Sequence, residues 1–126
     1  MALDLDTLRQ LELRLARAED GDPYREILRE DAVVVVPGFV MGREDCAAAI
    51  DLSEGWDRVD LEGERLVPIG EGTAAIVYRF SGLRGGHGYV ADMVSVYADT
   101  PEGPRLVTHQ HTMHWDPETH GAPADA

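Results

Sequence analysis

The chain has 126 residues, a formal net charge of −13 and a single cysteine. That length holds one domain with a real core, and so negative a surface repels phosphate backbones, which argues against direct nucleic-acid binding. Its 11 basic residues are all arginine; without lysine, Schiff-base chemistry, pyridoxal phosphate attachment and a lysine-ended phosphate loop are excluded.

No apolar run reaches the roughly 20 residues of a membrane span. The opening MALDLDTLRQ lacks the basic and apolar regions of a secretion signal. A soluble, cytoplasmic protein is expected. Cys46 can form neither an internal disulfide nor a cysteine-rich zinc site, and the neighbouring Asp45 would raise its pKa. It reads as a small core residue.

The first predicted element is a helix in which Leu8, Leu11, Leu15 and Ala18 form an apolar face, with Arg9, Glu12, Arg14 and Arg17 around it. Thr7 and Gln10 have capping-box spacing, and Gly21 suits a left-handed stop. A short second helix starts at Asp22-Pro23, with Asp22 as its N-cap, and is expected to run to about Glu30. Ala32 to Val36 is β-branched and ends at Pro37-Gly38, so it predicts a short buried strand with a partner at Phe39 to Met41. A third helix is predicted from Arg43 to about Ser53, ended by Gly55.

Beyond Trp56 the pattern changes to period two. Strands are predicted at Arg58 to Pro68 with a bulge at Gly63, at Thr73 to Ser81, at Tyr89 to Ala98 and at Arg105 to Met113. Gly82 to Gly88 reads as a flexible hairpin loop. Residues 1–113 make one domain, and 114–126 a tail without periodicity. Helices gathered on one side of a long antiparallel sheet give an α+β fold. Strongly curved, such a sheet closes around the three helices as a cone and leaves a pocket inside.

GDPYREILREDAVVV, GFVMGREDCAAAI and AIVYRFSGLRGGHGYVADMVSVYADTPEGPRLVTHQHT together resemble the nuclear transport factor two-like superfamily, in its SnoaL-like branch of unknown function. The resemblance covers about residues 3 to 113. It implies a cystatin-like α+β barrel and a homodimer formed through the sheet. The superfamily includes ketosteroid isomerase-like, cyclase-like and dehydratase enzymes beside many pocket-bearing proteins, so fold alone does not decide function. A ketosteroid-type isomerase needs a carboxylate base and acidic hydrogen-bond donors in the pocket. The base should follow the first strand, where Val33 to Pro37 offers no acid; Asp92 is the other candidate.

Along the strands, Tyr78 and Phe80 are expected to share the concave face with Met93, Ser95 and Tyr97, leaving Arg79 and Asp92 to pair outside. Trp56 is expected near the pocket mouth. THQHTMH places His109 and His111 on one side of a strand. As zinc ligands they would need a third, from His114, Asp92 or His87. As acid–base groups, His109 is the better candidate because it lies deeper. His87 and His120 are expected in solvent. The predicted ligand-binding set is therefore Trp56, Tyr78, Met93, Ser95 and Tyr97, with His109 and His111, and no metal or cofactor is assigned. Binding of a small apolar molecule is the first reading; the alternative is an isomerase, cyclase or dehydratase using His109 or Asp92.

Overall fold

The computed structural model describes residues 3–114. Most of the predicted tail, His120 included, lies outside the described residues. Helix α1 spans Leu5–Ala16, and the Asp4 side chain caps it by accepting from the Thr7 backbone N–H at 2.8 Å. The Asp4 cap replaces the predicted Thr7/Gln10 box. Leu8, Leu13 and Leu15 are buried.

Helix α2 covers only Asp22–Ile27, shorter than predicted, because Leu28 already pairs with Leu106 in the sheet. Gly21 is right-handed, not left-handed, and is itself the N-cap, with Asp22 inside the helix. A glycine is needed there for space: a Cβ would lie 2.4 Å from the Ala47 carbonyl oxygen of the third helix. Strands β1 (Leu28–Val36) and β2 (Phe39–Gly42) form a hairpin that leads into α3 (Arg43–Asp51). Arg25 ties α2 to α3 through Glu44 and Asp51.

Strands β3 (Arg58–Gly70), β4 (Thr73–Arg84), β5 (His87–Thr100) and β6 (Gly103–Met113) follow as an antiparallel meander. Gly85 and Gly86, at φ 55° and 81°, reverse the chain between β4 and β5 in two residues. This tight turn replaces the predicted flexible loop. The six strands run β2-β1-β6-β5-β4-β3, and β1 lies parallel to β6. The sheet is thus antiparallel except at that one junction, where the helical half of the chain is stitched to its last strand.

Of the four register irregularities among the described residues of the sheet, two stand out. Gly63, at φ 67°, lies in the register shift between Glu62 and Arg65, at the position predicted for it. The second lies on β6: Tyr97 pairs with Leu106 while Val96 pairs with Thr108, so Val107 is the extra residue. The core fills the space between the helices and the concave face, with Leu8, Ile27, Ile76, Phe80 and Leu106 almost wholly buried. The architecture is α+β: a curved sheet closed on three helices. Among the described residues, no helix is long and apolar enough to cross a membrane.

Candidate functional site

Every second residue of a strand faces the same way. On β4 the inward set is Ala74, Ile76, Tyr78 and Phe80; on β5 it is Ala91, Met93, Ser95 and Tyr97. These pair across as Ile76 with Ser95 and Tyr78 with Met93. Arg79 and Asp92 face out and pair at 3.2 Å in an exposed position. Asp92 is thereby removed from the list of candidate bases.

Strict alternation along β6 from the inward Leu106 would turn His109 and His111 outward. The extra residue Val107 shifts the phase by one, so both imidazoles enter the cone. His109 then lies opposite Ser95, and His111 opposite Met93. Their rings meet edge to face with centroids 4.7 Å apart.

Between the sheet and the helices is a cavity of about 140 Å³, walled mainly by apolar groups such as Leu15, Val34, Met41, Ile50 and Leu106. Its polar lining comprises Glu12, Tyr24, Tyr78, His109 and His111, with the Cys46 thiol. Trp56, which lines the cavity, packs edge-on against Phe80 at 5.4 Å and stacks on Tyr89 at 5.8 Å. The Arg84 guanidinium covers the indole at 4.3 Å. A Cβ on Gly82 would lie 2.7 Å from the indole, so that glycine lets the ring lie flat on β4. Trp56 also borders an open groove with Arg17, Glu54 and Arg58 on its outer side.

The residue that sequence reading left on the solvent face is Glu12. It is 2% exposed, at the centre of the site. Its Oε1 accepts from the Tyr78 hydroxyl and the Ser95 hydroxyl, each at 2.6 Å, and its Oε2 accepts from the Tyr97 hydroxyl at 2.5 Å. Ser95 Oγ is also hydrogen-bonded to His109 Nδ1. Burial pushes the Glu12 pKa up, and the three hydroxyls pull against that shift. Burial pushes both His109 and His111 down to about 4, so each imidazole is neutral near pH 7.

Of the predicted binding residues, Trp56, Tyr78, Met93, His109 and His111 line the cavity. Ser95 and Tyr97 are fully buried behind that wall, and both direct their hydroxyls to Glu12 rather than toward a ligand. The signal that could have found Glu12 is its helical spacing: it stands four residues after Leu8 and three before Leu15, on the inward stripe. Its charge hid it. His87 and His114 are exposed, and the described residues hold no group of three or more His, Cys, Asp or Glu arranged to bind a metal. Cys46 is buried, and its thiol is pushed up to about 11, the state of an unreactive thiol.

No family model matches the sequence, and no curated protein matches it significantly. Among solved structures, the cone superposes on a provisionally named ketosteroid isomerase of Parabacteroides distasonis. The TM-score is 0.76, at 12% identity over 87% of each chain. The chain has the nuclear transport factor two-like fold. A nuclear transport factor two-like protein of unknown function in nutrient uptake from Rhodospirillum rubrum gives a TM-score of 0.74, at 19% identity over 89% of this chain and 99% of that one. Another, with a cystatin-like fold, from Novosphingobium aromaticivorans gives 0.65, at 24% identity over 86% and 80%. The nuclear transport factor two-like fold accounts for the position of the cavity; the chemistry within it rests on this chain's own side chains.

Proposed function

We propose that this chain binds a small, mostly apolar molecule in the cone, with one uncharged polar group of that molecule docked at His109 and His111. The observation that carries this reading is the cavity itself: mostly apolar walls with a few polar groups among them, the usual form of a small-molecule site. Its volume of about 140 Å³ is close to that of an engineered apolar cavity that accepts benzene, which sets the scale at one ring. Anionic ligands are disfavoured, because they would be desolvated beside a buried carboxyl group. Within the fold this is the behaviour of a SnoaL-like pocket protein. We further propose that two copies associate through the outer face of the sheet, where Val33, Val90 and Val94 are exposed.

Thermal unfolding with a panel of benzene, phenol and benzoate tests the binding reading. A ligand selective for the folded state raises Tm in proportion to its occupancy. Benzene and phenol should raise Tm, phenol more, and benzoate should not. Ile50→Trp, which fills the cavity from α3, should abolish both shifts. If neither neutral ring compound shifts Tm at millimolar concentration, the reading fails.

A second reading, general acid–base catalysis on such a molecule, is favoured by one observation: Glu12, Ser95 and His109 form a continuous hydrogen-bonded chain that ends at the cavity.

A further inference from the structure

The hydrogen-bond inventory at Glu12 admits two proton arrangements. With Glu12 ionised, all three hydroxyls donate to it. Ser95 has then given its only proton to Glu12, so it can only accept from His109. His109 therefore carries its proton on Nδ1, and Nε2 holds a lone pair. With Glu12 protonated, the new acid proton needs an acceptor among the same three hydroxyls. Whichever accepts it must send its own proton elsewhere. Tyr78 and Tyr97 have no second partner among the described residues, whereas Ser95 has His109 Nδ1. Ser95 thus turns its proton to Nδ1, and the His109 proton moves to Nε2.

Nε2 is the end of this chain that a ligand can reach. It makes no hydrogen bond to a described residue, yet it is not sealed: the one sealed, unpartnered side-chain polar atom among the described residues is Arg43 Nε. The His109 side chain is 14% exposed and lines the cavity.

We propose that Glu12, Ser95 and His109 form a proton relay, which takes a proton at Nε2 from a neutral hydroxyl-bearing ligand, such as a phenol or enol, and stores it on Glu12. This deepens the binding reading and rests on it for the ligand. The ligand O–H bond breaks as Nε2–H forms; Nδ1–H passes to Ser95 Oγ; the Ser95 proton passes to Glu12 Oε1. The ligand keeps the electron pair and becomes an anion while Glu12 becomes neutral, so charge balances. Reversal returns the proton to the ligand, on the same atom or on another reached from Nε2. His109 changes tautomer and never becomes an imidazolium ion, in keeping with a ring that burial holds neutral down to about pH 4. Ser95, sealed from the cavity, acts through His109 as a positioning and transfer group.

Of the other ionisable groups around the relay, His111 acts on Glu12 directly and favours its charged form. Tyr24 of α2, Cys46 of α3, Tyr78 of β4 and Tyr97 of β5 are all pushed upward by burial and stay neutral. His111 on β6 is neutral above about pH 4. Glu64 of β3, which acts on Tyr78, is paired with Arg9 at 2.6 Å.

Long-range proton–nitrogen NMR on protein with labelled histidine reads the His109 tautomer directly, with no ligand present. As pH falls and Glu12 takes up its proton, His109 should switch from the Nδ1–H to the Nε2–H form without the spectrum of a charged ring. Ser95→Ala should abolish the switch. Tyr97→Phe removes a hydroxyl that favours the carboxylate, so it should move the midpoint to higher pH. A tautomer that stays constant at every pH where the protein is folded and His109 is neutral overturns the relay, as does a switch that survives Ser95→Ala or a midpoint that ignores Tyr97→Phe. Ligand-induced Tm shifts in the same samples judge binding separately, so loss of the relay with binding intact is distinguishable from loss of both.

Discussion

Glu12 shows what one side chain can impose on a core. Three hydroxyls from β4 and β5 converge on its carboxyl, and without it those of Tyr78 and Tyr97 would be stranded, while Ser95 would keep His109. Leaving a buried donor unpaired costs about 1–3 kcal/mol, so Glu12→Leu should destabilise the fold by several kcal/mol despite adding apolar volume. Chemical unfolding of that variant measures the loss; a loss under about 1 kcal/mol would show that the hydroxyls find other partners. The histidines give a pH dependence of definite sign. His111 falls to about 4 on folding from an ordinary value near 6.5, so the unfolded chain binds its proton first on acidification. Its contribution is whole above about pH 6.5 and is lost as pH falls toward about 4. From about pH 7 to about pH 5 this amounts to about 2 kcal/mol. The raised Glu12 works the other way, losing its contribution as pH rises through its folded pKa. Urea unfolding should therefore show a shallower loss on acidification in His111→Gln than in the parent chain; parallel pH profiles would contradict the assignment. At this scale the sequence was partly legible. Aromatic positions followed from alternation, as did the shared side of the two histidines, whereas a carboxylate on an apolar stripe looks like a solvated residue until its partners, 66 to 85 residues away, are seen.

Elements were legible where local pattern decides and illegible where distant pairing overrides it. The period-two strands and three helices follow from residue types, but α2 stops at Ile27 because Leu28 is claimed by Leu106. The bulge at Val107 has no special residue to announce it, since valine suits any strand position, and yet it decides which way two histidines face. Gly21 is a similar case: the sequence shows the glycine, but its reason lies in α3. Gly21→Ala would drive a Cβ into the Ala47 carbonyl, so it should destabilise by about 1–3 kcal/mol, the usual range for overpacking. A merely conformational glycine would instead tolerate or welcome alanine at this right-handed position. Thermal unfolding of Gly21→Ala separates the two, because the second account predicts an unchanged or higher Tm.

For the whole molecule, layer order and sheet curvature were legible, while the parallel junction between β1 and β6 was not. The proposed pairing of two copies has an electrostatic signature. Each chain carries −13, so association must overcome mutual repulsion that salt screens. Sedimentation at about 10 µM chain should show more dimer in about 0.5 M salt than in about 0.05 M, and Val94→Arg should lower the dimer fraction at both. A single-chain mass under both conditions would remove the dimer. The junction between β1 and β6 also bears on how the molecule is made. A strand from the first third of the chain is held by the last strand, so this contact spans 75 residues or more at positions such as Val33 and Thr108. Contacts so distant in sequence slow folding, because the chain must close a large loop before the pairing rewards it. On the ribosome, β1 and α1 emerge well before β5 and β6 exist. Until those strands arrive, Glu12 remains hydrated on an open helix and the cavity has no back wall. The step that completes the barrel is therefore also the step that strips water from the carboxylate, and acid conditions that protonate Glu12 should ease that late closure.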